Sequence, residues 1–93
     1  GRQREETMDA LVQQIPLELW AVALKGAEIT LQQAIKRSMP QRMVKALEDD
    51  MELRGAVVLS RVQRARQDIM QLIRELDEAG EIQLVLYEEP TVE

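Results

Sequence analysis

The sequence predicts an all-α fold, a compact bundle of about five helices followed by a short extended C-terminal tail. Three observations carry that reading. Apolar residues recur at helical spacing along most of the chain. Only three prolines interrupt the 93 residues. The connections left between the apolar stripes are short, as in helical bundles. With 45% hydrophobic content, the chain suits one small domain over residues 1–93, ordered from about 5 to 86 with a flexible end over 87–93.

The elements follow in order. Met8, Leu11, Val12 and Ile15 mark a short amphipathic helix with Thr7 as its N-cap. Pro16 closes it and opens the second helix from position N1. That helix, Leu17 to Leu24, carries Glu18 as its only charge, so nearly every face must be covered, and Lys25 and Gly26 end it. A third helix, about Ala27 to Arg37, is expected to bury Leu31, Ala34 and Ile35. The fourth, Pro40 to Leu53, starts from a Ser38/Gln41 capping box or with Pro40 at N1, and Gly55 marks its exit. Met43, Val44, Leu47 and Met51 form its inner stripe. A second S-x-x-Q box at Ser60 opens the longest helix, about 61 to 78, which buries Val62, Ala65, Ile69, Leu72, Ile73 and Leu76. Residues 81–87 alternate loosely, as an extended segment would.

Composition narrows the chemistry. The chain has no cysteine, which excludes disulfides and thiolate metal sites, and no histidine, the commonest general base and a usual zinc ligand. These absences disfavour most enzyme chemistry, and no catalytic residue or cofactor is assigned. A net charge of −5, from 17 acids and 12 bases, argues against nucleic acid as the main partner. No apolar run approaches the roughly 20 residues of a membrane span, so direct membrane insertion is not expected, and the chain reads as soluble and cytoplasmic. Trp20 and Met8, Met43 and Met51 read as core packing.

The charges of the fourth helix run against its dipole. Arg42 and Lys45 stand near its start, and Glu48, Asp49, Asp50 and Glu52 crowd its end. Each misplaced charge costs about 0.3–1 kcal/mol, so stability alone does not select this order. At 100° per residue Arg42, Lys45, Asp49 and Glu52 lie opposite the apolar stripe. Asp49 and Asp50, being consecutive, diverge by about 100° and cannot chelate a metal by themselves, so no metal site is assigned. The pattern is compatible with a solvated face carrying a weak Lys45–Asp49 pair and equally with a face read by a partner.

Five blocks in order and spacing carry a resemblance. They are Ala23-Leu-Lys-Gly-Ala-Glu28, Met39-Pro-Gln-Arg42, Asp49-Asp-Met-Glu-Leu-Arg-Gly55, Val57-Val-Leu-Ser60 and Ile73-Arg-Glu-Leu-Asp-Glu-Ala-Gly-Glu-Ile82. Together they resemble the C-terminal domain of the bacterial flagellar motor switch protein FliG. The resemblance implies a rotor component, without enzymatic activity, at the cytoplasmic face of the inner membrane in the flagellar basal body. There it would present charges to the cytoplasmic loop of a MotA-type stator, with FliM and other FliG copies as neighbours, to generate torque in motility and chemotaxis.

By the same resemblance, Lys25, Arg42, Asp49 and Asp50 are the stator-facing charges. A fifth family charge, an arginine, is replaced here by Val58, and Glu48 stands where a base often precedes the acidic pair. Arg61, near the start of the next helix, is the possible compensating base. The alternative is a Mg²⁺-sensing acidic helical domain resembling the cytoplasmic N-domain of MgtE-type magnesium transporters.

Overall fold

The structure, a computed structural model, describes residues 2–80, with side chains from Met8 onward. Five helices follow one another: α1 Arg2–Gln14, α2 Leu17–Ala23, α3 Ile29–Arg37, α4 Gln41–Arg54 and α5 Leu59–Glu78. No strand occurs among the described residues. The expected extended segment 81–87 and the end 87–93 lie outside them.

Helix α2 is the hub, packed against both α4 and α5. Trp20, Ala21, Val22, Ala23 and Leu24 are buried in succession, and consecutive helical residues point in different directions, so the core wraps the helix as its near-uncharged sequence requires. Leu11 and Val12 of α1, Ile15 just after it, Ile35 of α3, Met39, Leu47 of α4, and Ala65, Ile69 and Ile73 of α5 complete the cluster. Leu72 and Leu76 pack against it while partly exposed.

A side-chain hydrogen bond ties α1 to this hub. Pro16 has no N–H to return to the carbonyl four residues earlier, that of Val12. The buried Trp20 indole Nε1–H supplies the missing donor, at 3.2 Å. The sequence feature that breaks the α1–α2 run thus also explains why a tryptophan, with its polar handle, occupies the core.

Several element ends differ from expectation. Helix α1 starts at Arg2, so Thr7 lies inside it; the preceding arginine, glutamine and glutamate residues are good helix formers. Pro16 and Pro40 are N-caps, one position before N1, at φ −55° and ψ 138° and at φ −56° and ψ 149°. Their carbonyls accept the first helical bonds, from Leu19 and Trp20 and from Met43 and Val44. Neither expected capping box forms: α4 starts without a side-chain cap, and α5 starts from Val58, leaving Ser60 in its first turn. Helix α3 begins at Ile29 and buries Ile35 alone, with Leu31 49% exposed and Ala34 also exposed. It lies at the rim, where only one edge of its apolar stripe reaches the core.

Candidate functional site: the charged face of α4

Helix α4 is clamped on its inner side by fully buried Leu47, with Met43, Val44 and Met51 packed beside it. That anchoring fixes which residues turn outward. Arg42, Lys45, Asp49 and Glu52 are all exposed, as the helical period requires. Arg42 and Asp49 stand seven residues apart, two turns or about 10.5 Å along the helix, almost in line. Leu53, 88% exposed, continues the line one turn beyond Asp49.

The acids at the flanks are held differently. Glu48 reaches across to Lys36 of α3, 3.8 Å away. Asp50 is bound by Arg54 through two hydrogen bonds, Nε–H to Oδ1 and Nη2–H to Oδ2, the latter at 3.4 Å. The two side chains are only 23% and 28% exposed. An acid four residues before a base is the favourable helical order. Asp50 holds the Arg54 guanidinium above its ordinary pKa, chiefly through this hydrogen bond. The Lys45–Asp49 pair that a solvated face could carry is absent from the ion pairs among the described residues.

Arg54 also corrects the reading of the helix end. Helix α4 runs one residue past Leu53, which places this base in the last turn. The opposition to the dipole is thereby relieved at the C-terminus and persists at the start, where the first turn holds no acid.

Lys25 comes from a separate element, the turn after α2, and is half-buried. The turn is pinned from two sides. The Gln32 amide donates to the carbonyls of Leu24 and Ala27 at 3.1 and 3.0 Å, and Arg66 of α5 donates to that of Ala23 at 3.2 Å. The Arg66 bond satisfies a carbonyl that the end of α2 leaves open, and Gly26 turns the chain there at φ +76°.

Arg61 is exposed in the first turn of α5. It shares a concavity with Glu18, Leu19 and Val22 of α2 and with Arg54, whereas Asp49 and Asp50 line an adjoining depression with Ala46, Leu53 and Arg54. Arg54 borders both. Arg61 and the α4 acids thus line separate depressions that have Arg54 in common. Val58, just before α5, is 64% exposed. Among the described residues no group of three or more acids gathers in a way that could hold a metal ion, and no helix is long and apolar enough to cross a membrane.

Sequence reasoning overlooked Arg54, Lys36 and Leu53. The Asp50-to-Arg54 spacing was legible and was lost by ending the helix at Leu53. The Lys36–Glu48 contact depends on how α3 packs against α4 and has no local signal.

The five helices form a small all-α domain in which α4 buries one side and holds a mixed row of charges outward on the other. More particularly, the chain belongs to the FliG C-terminal domain family, whose model matches residues 1–84. A flagellar motor switch protein FliG from Thermotoga maritima is 36% identical over 78 residues, 84% of this chain and 23% of that protein. The FliG of Pseudomonas aeruginosa is 30% identical over 77 residues, 83% of this chain and 23% of that protein. That of Bacillus subtilis is 38% identical over 61 residues, 66% of this chain and 18% of that protein. The chain thus spans about a quarter or less of the length of these relatives.

Proposed function

We propose that residues 1–93 act as one domain of a bacterial flagellar rotor protein and present Lys25, Arg42, Asp49 and Asp50 to the cytoplasmic loop of a MotA-type stator. The domain works at the cytoplasmic face of the inner membrane, beside FliM and further FliG copies, and transmits torque for swimming and chemotaxis. Its action is a reversible electrostatic contact and involves no chemical step.

Membership in the FliG C-terminal family supports this reading, and one observation carries it: Arg42 and Asp49 stand exposed on one line of α4 and take part in no ion pair among the described residues. Exposed charges attract an opposite partner over a range of about 8 Å at physiological ionic strength, and they raise encounter rate and specificity more than affinity. Such a contact can be made and broken at each step. Arg61, exposed in the first turn of α5, supplies the base that Val58 does not.

Reversing both acids, Asp49→Lys with Asp50→Lys, in the full-length protein is expected to abolish swimming while the protein still accumulates and assembles. Normal swimming with normal stator recruitment would sink the proposal.

A further inference from the structure

Helix α5 opposes its own dipole at both ends. Its first turn holds no acid and its last turn no base, whereas Arg61, Arg64 and Arg66 crowd its start and Glu75, Asp77 and Glu78 its end. In α4 the same conflict is relieved at one end by Arg54; no charge within α5 does the same.

The cations of α5 are also poorly neutralised. Arg66 donates to the Ala23 carbonyl and Arg74 to the Gln71 amide oxygen, both uncharged acceptors. Arg61 has no ion pair among the described residues. Arg64 meets Asp68 at 3.2 Å, yet its side chain stays 77% exposed. Arg64 and Asp68 border two depressions, one reaching Arg61 and Arg54, the other Met70 and Arg74. Together these make one basic trough along α5, in which Asp68 and Glu18 of α2 are the lining acids and Met70 is 42% exposed. A chain of net charge −5 thus keeps a basic face.

We infer that this trough is the docking surface for the chain's own acidic segment, residues 81–93, folded back along α5. Charge, reach and order each support the pairing. The segment carries Glu81, Glu88, Glu89 and Glu93 and no base, and acids laid over the start of a helix relieve its dipole. Arg64 stands sixteen residues before Gly80, about 24 Å at 1.5 Å per residue. The eight residues from Gly80 to Glu88 span about 26 Å when extended at about 3.3 Å each. Residues 82–87 are uncharged, so neutral chain passes the acids at the end of α5, Leu84 comes level with Met70, and Glu88 and Glu89 arrive where the arginines stand. Gly80, at φ 74°, has the left-handed conformation that ends a helix and redirects the chain. The family match ends at residue 84, so Glu88 and Glu89 lie past the shared part. Neither side of this contact includes Lys25, Arg42, Asp49 or Asp50, which keeps it separate from the stator-facing reading.

The chain has no cysteine, so Thr91→Cys gives a single attachment point for a nitroxide label and removes no charge. The test measures paramagnetic broadening of backbone amide signals in the labelled chain 1–93. Amides of residues 61–68 are expected to lose most of their intensity at about 0.1 M salt and to recover it at about 1 M, where the screening length falls from about 10 Å to about 3 Å. Arg61→Glu with Arg64→Glu, changes that the dipole favours, should abolish the broadening, and adding Glu88→Arg with Glu89→Arg should restore it. Broadening confined to the residues next to Gly80, broadening that ignores salt and charge reversal, or a charge swap that restores nothing would overturn the inference. So would broadening passed from labelled chains to unlabelled, isotope-enriched chains in a mixture, which would make the occupant a second copy.

Discussion

Two leucines six residues apart on α4 separate folding from recognition. Leu47 is fully buried and Leu53 is 88% exposed. Leu47→Ala removes three carbons from a site closed on all sides. At about 0.8 kcal/mol per buried methylene the transfer loss alone is about 2.4 kcal/mol, and the cavity raises the cost to about 3–4 kcal/mol, within the usual span for buried leucines. A chain of 93 residues has a total stability of about 5–14 kcal/mol, so one substitution removes roughly a fifth or more of it. At roughly 4–8 °C per kcal/mol for a domain of this size, the midpoint should fall by more than ten degrees. Leu53→Ala should stay within about 0.5 kcal/mol of wild type. Thermal unfolding followed by far-UV circular dichroism reads both, and Trp20 fluorescence gives a second probe of the core. A comparable drop from the two variants would refute the assignment of inner and outer faces of α4, and with it the placement of Asp49.

Two further variants probe the joints that set the geometry. Gly55→Ala is expected to destabilise by about 1–3 kcal/mol in urea unfolding, because Gly55 holds φ 64° and ψ −143°; no atom lies within 4 Å of the added Cβ, so the cost is conformational and Gly55→Asn should also be impaired. Trp20→Phe leaves the Val12 carbonyl without the donor that Pro16 cannot provide, which costs about 1–3 kcal/mol in addition to lost packing; an unchanged denaturation midpoint by circular dichroism would refute that role for the indole.

What could be read from sequence divides along the line between local and tertiary information. The hub character of α2 was legible because eight residues with one charge leave no polar face. The inner stripes of α4 and α5 followed from their period, and Leu47, Val62, Ala65, Ile69 and Ile73 are all buried. Helix starts were misread by one position where Pro16 and Pro40 were placed at N1, and at Ser60 where capping-box spacing was trusted over backbone geometry: the prolines and Val58 begin α2, α4 and α5 without side-chain caps. Helix α3 was misread for a different reason. Its stripe of Leu31, Ala34 and Ile35 is real, but the amount of core available to a rim helix is a property of the whole packing, and only Ile35 reaches it. The charged face itself came from the period, whereas the difference between Asp49 and Asp50 needed the position of Arg54.

The charges of α4 are sorted by place, and that sorting gives a last test. Those on the flanks are paired, Glu48 with Lys36 and Asp50 with Arg54, and Arg54 brings the end of the helix into agreement with the dipole. Those on the outer line are unpaired among the described residues, and Arg42 stands in the first turn, where a base is unfavourable. If the outer charges served stability, correcting that sign should gain nothing beyond what it loses elsewhere. Arg42→Glu is therefore expected to raise stability by about 0.3–1 kcal/mol, read as a higher urea midpoint at low salt that converges on wild type at high salt, since the contribution is screened. The same variant is expected to swim more slowly. A variant that is more stable and less active would show that α4 retains an unfavourable charge for the sake of its partner; a variant that is less stable, or as stable and fully motile, would show that Arg42 is an ordinary part of the surface.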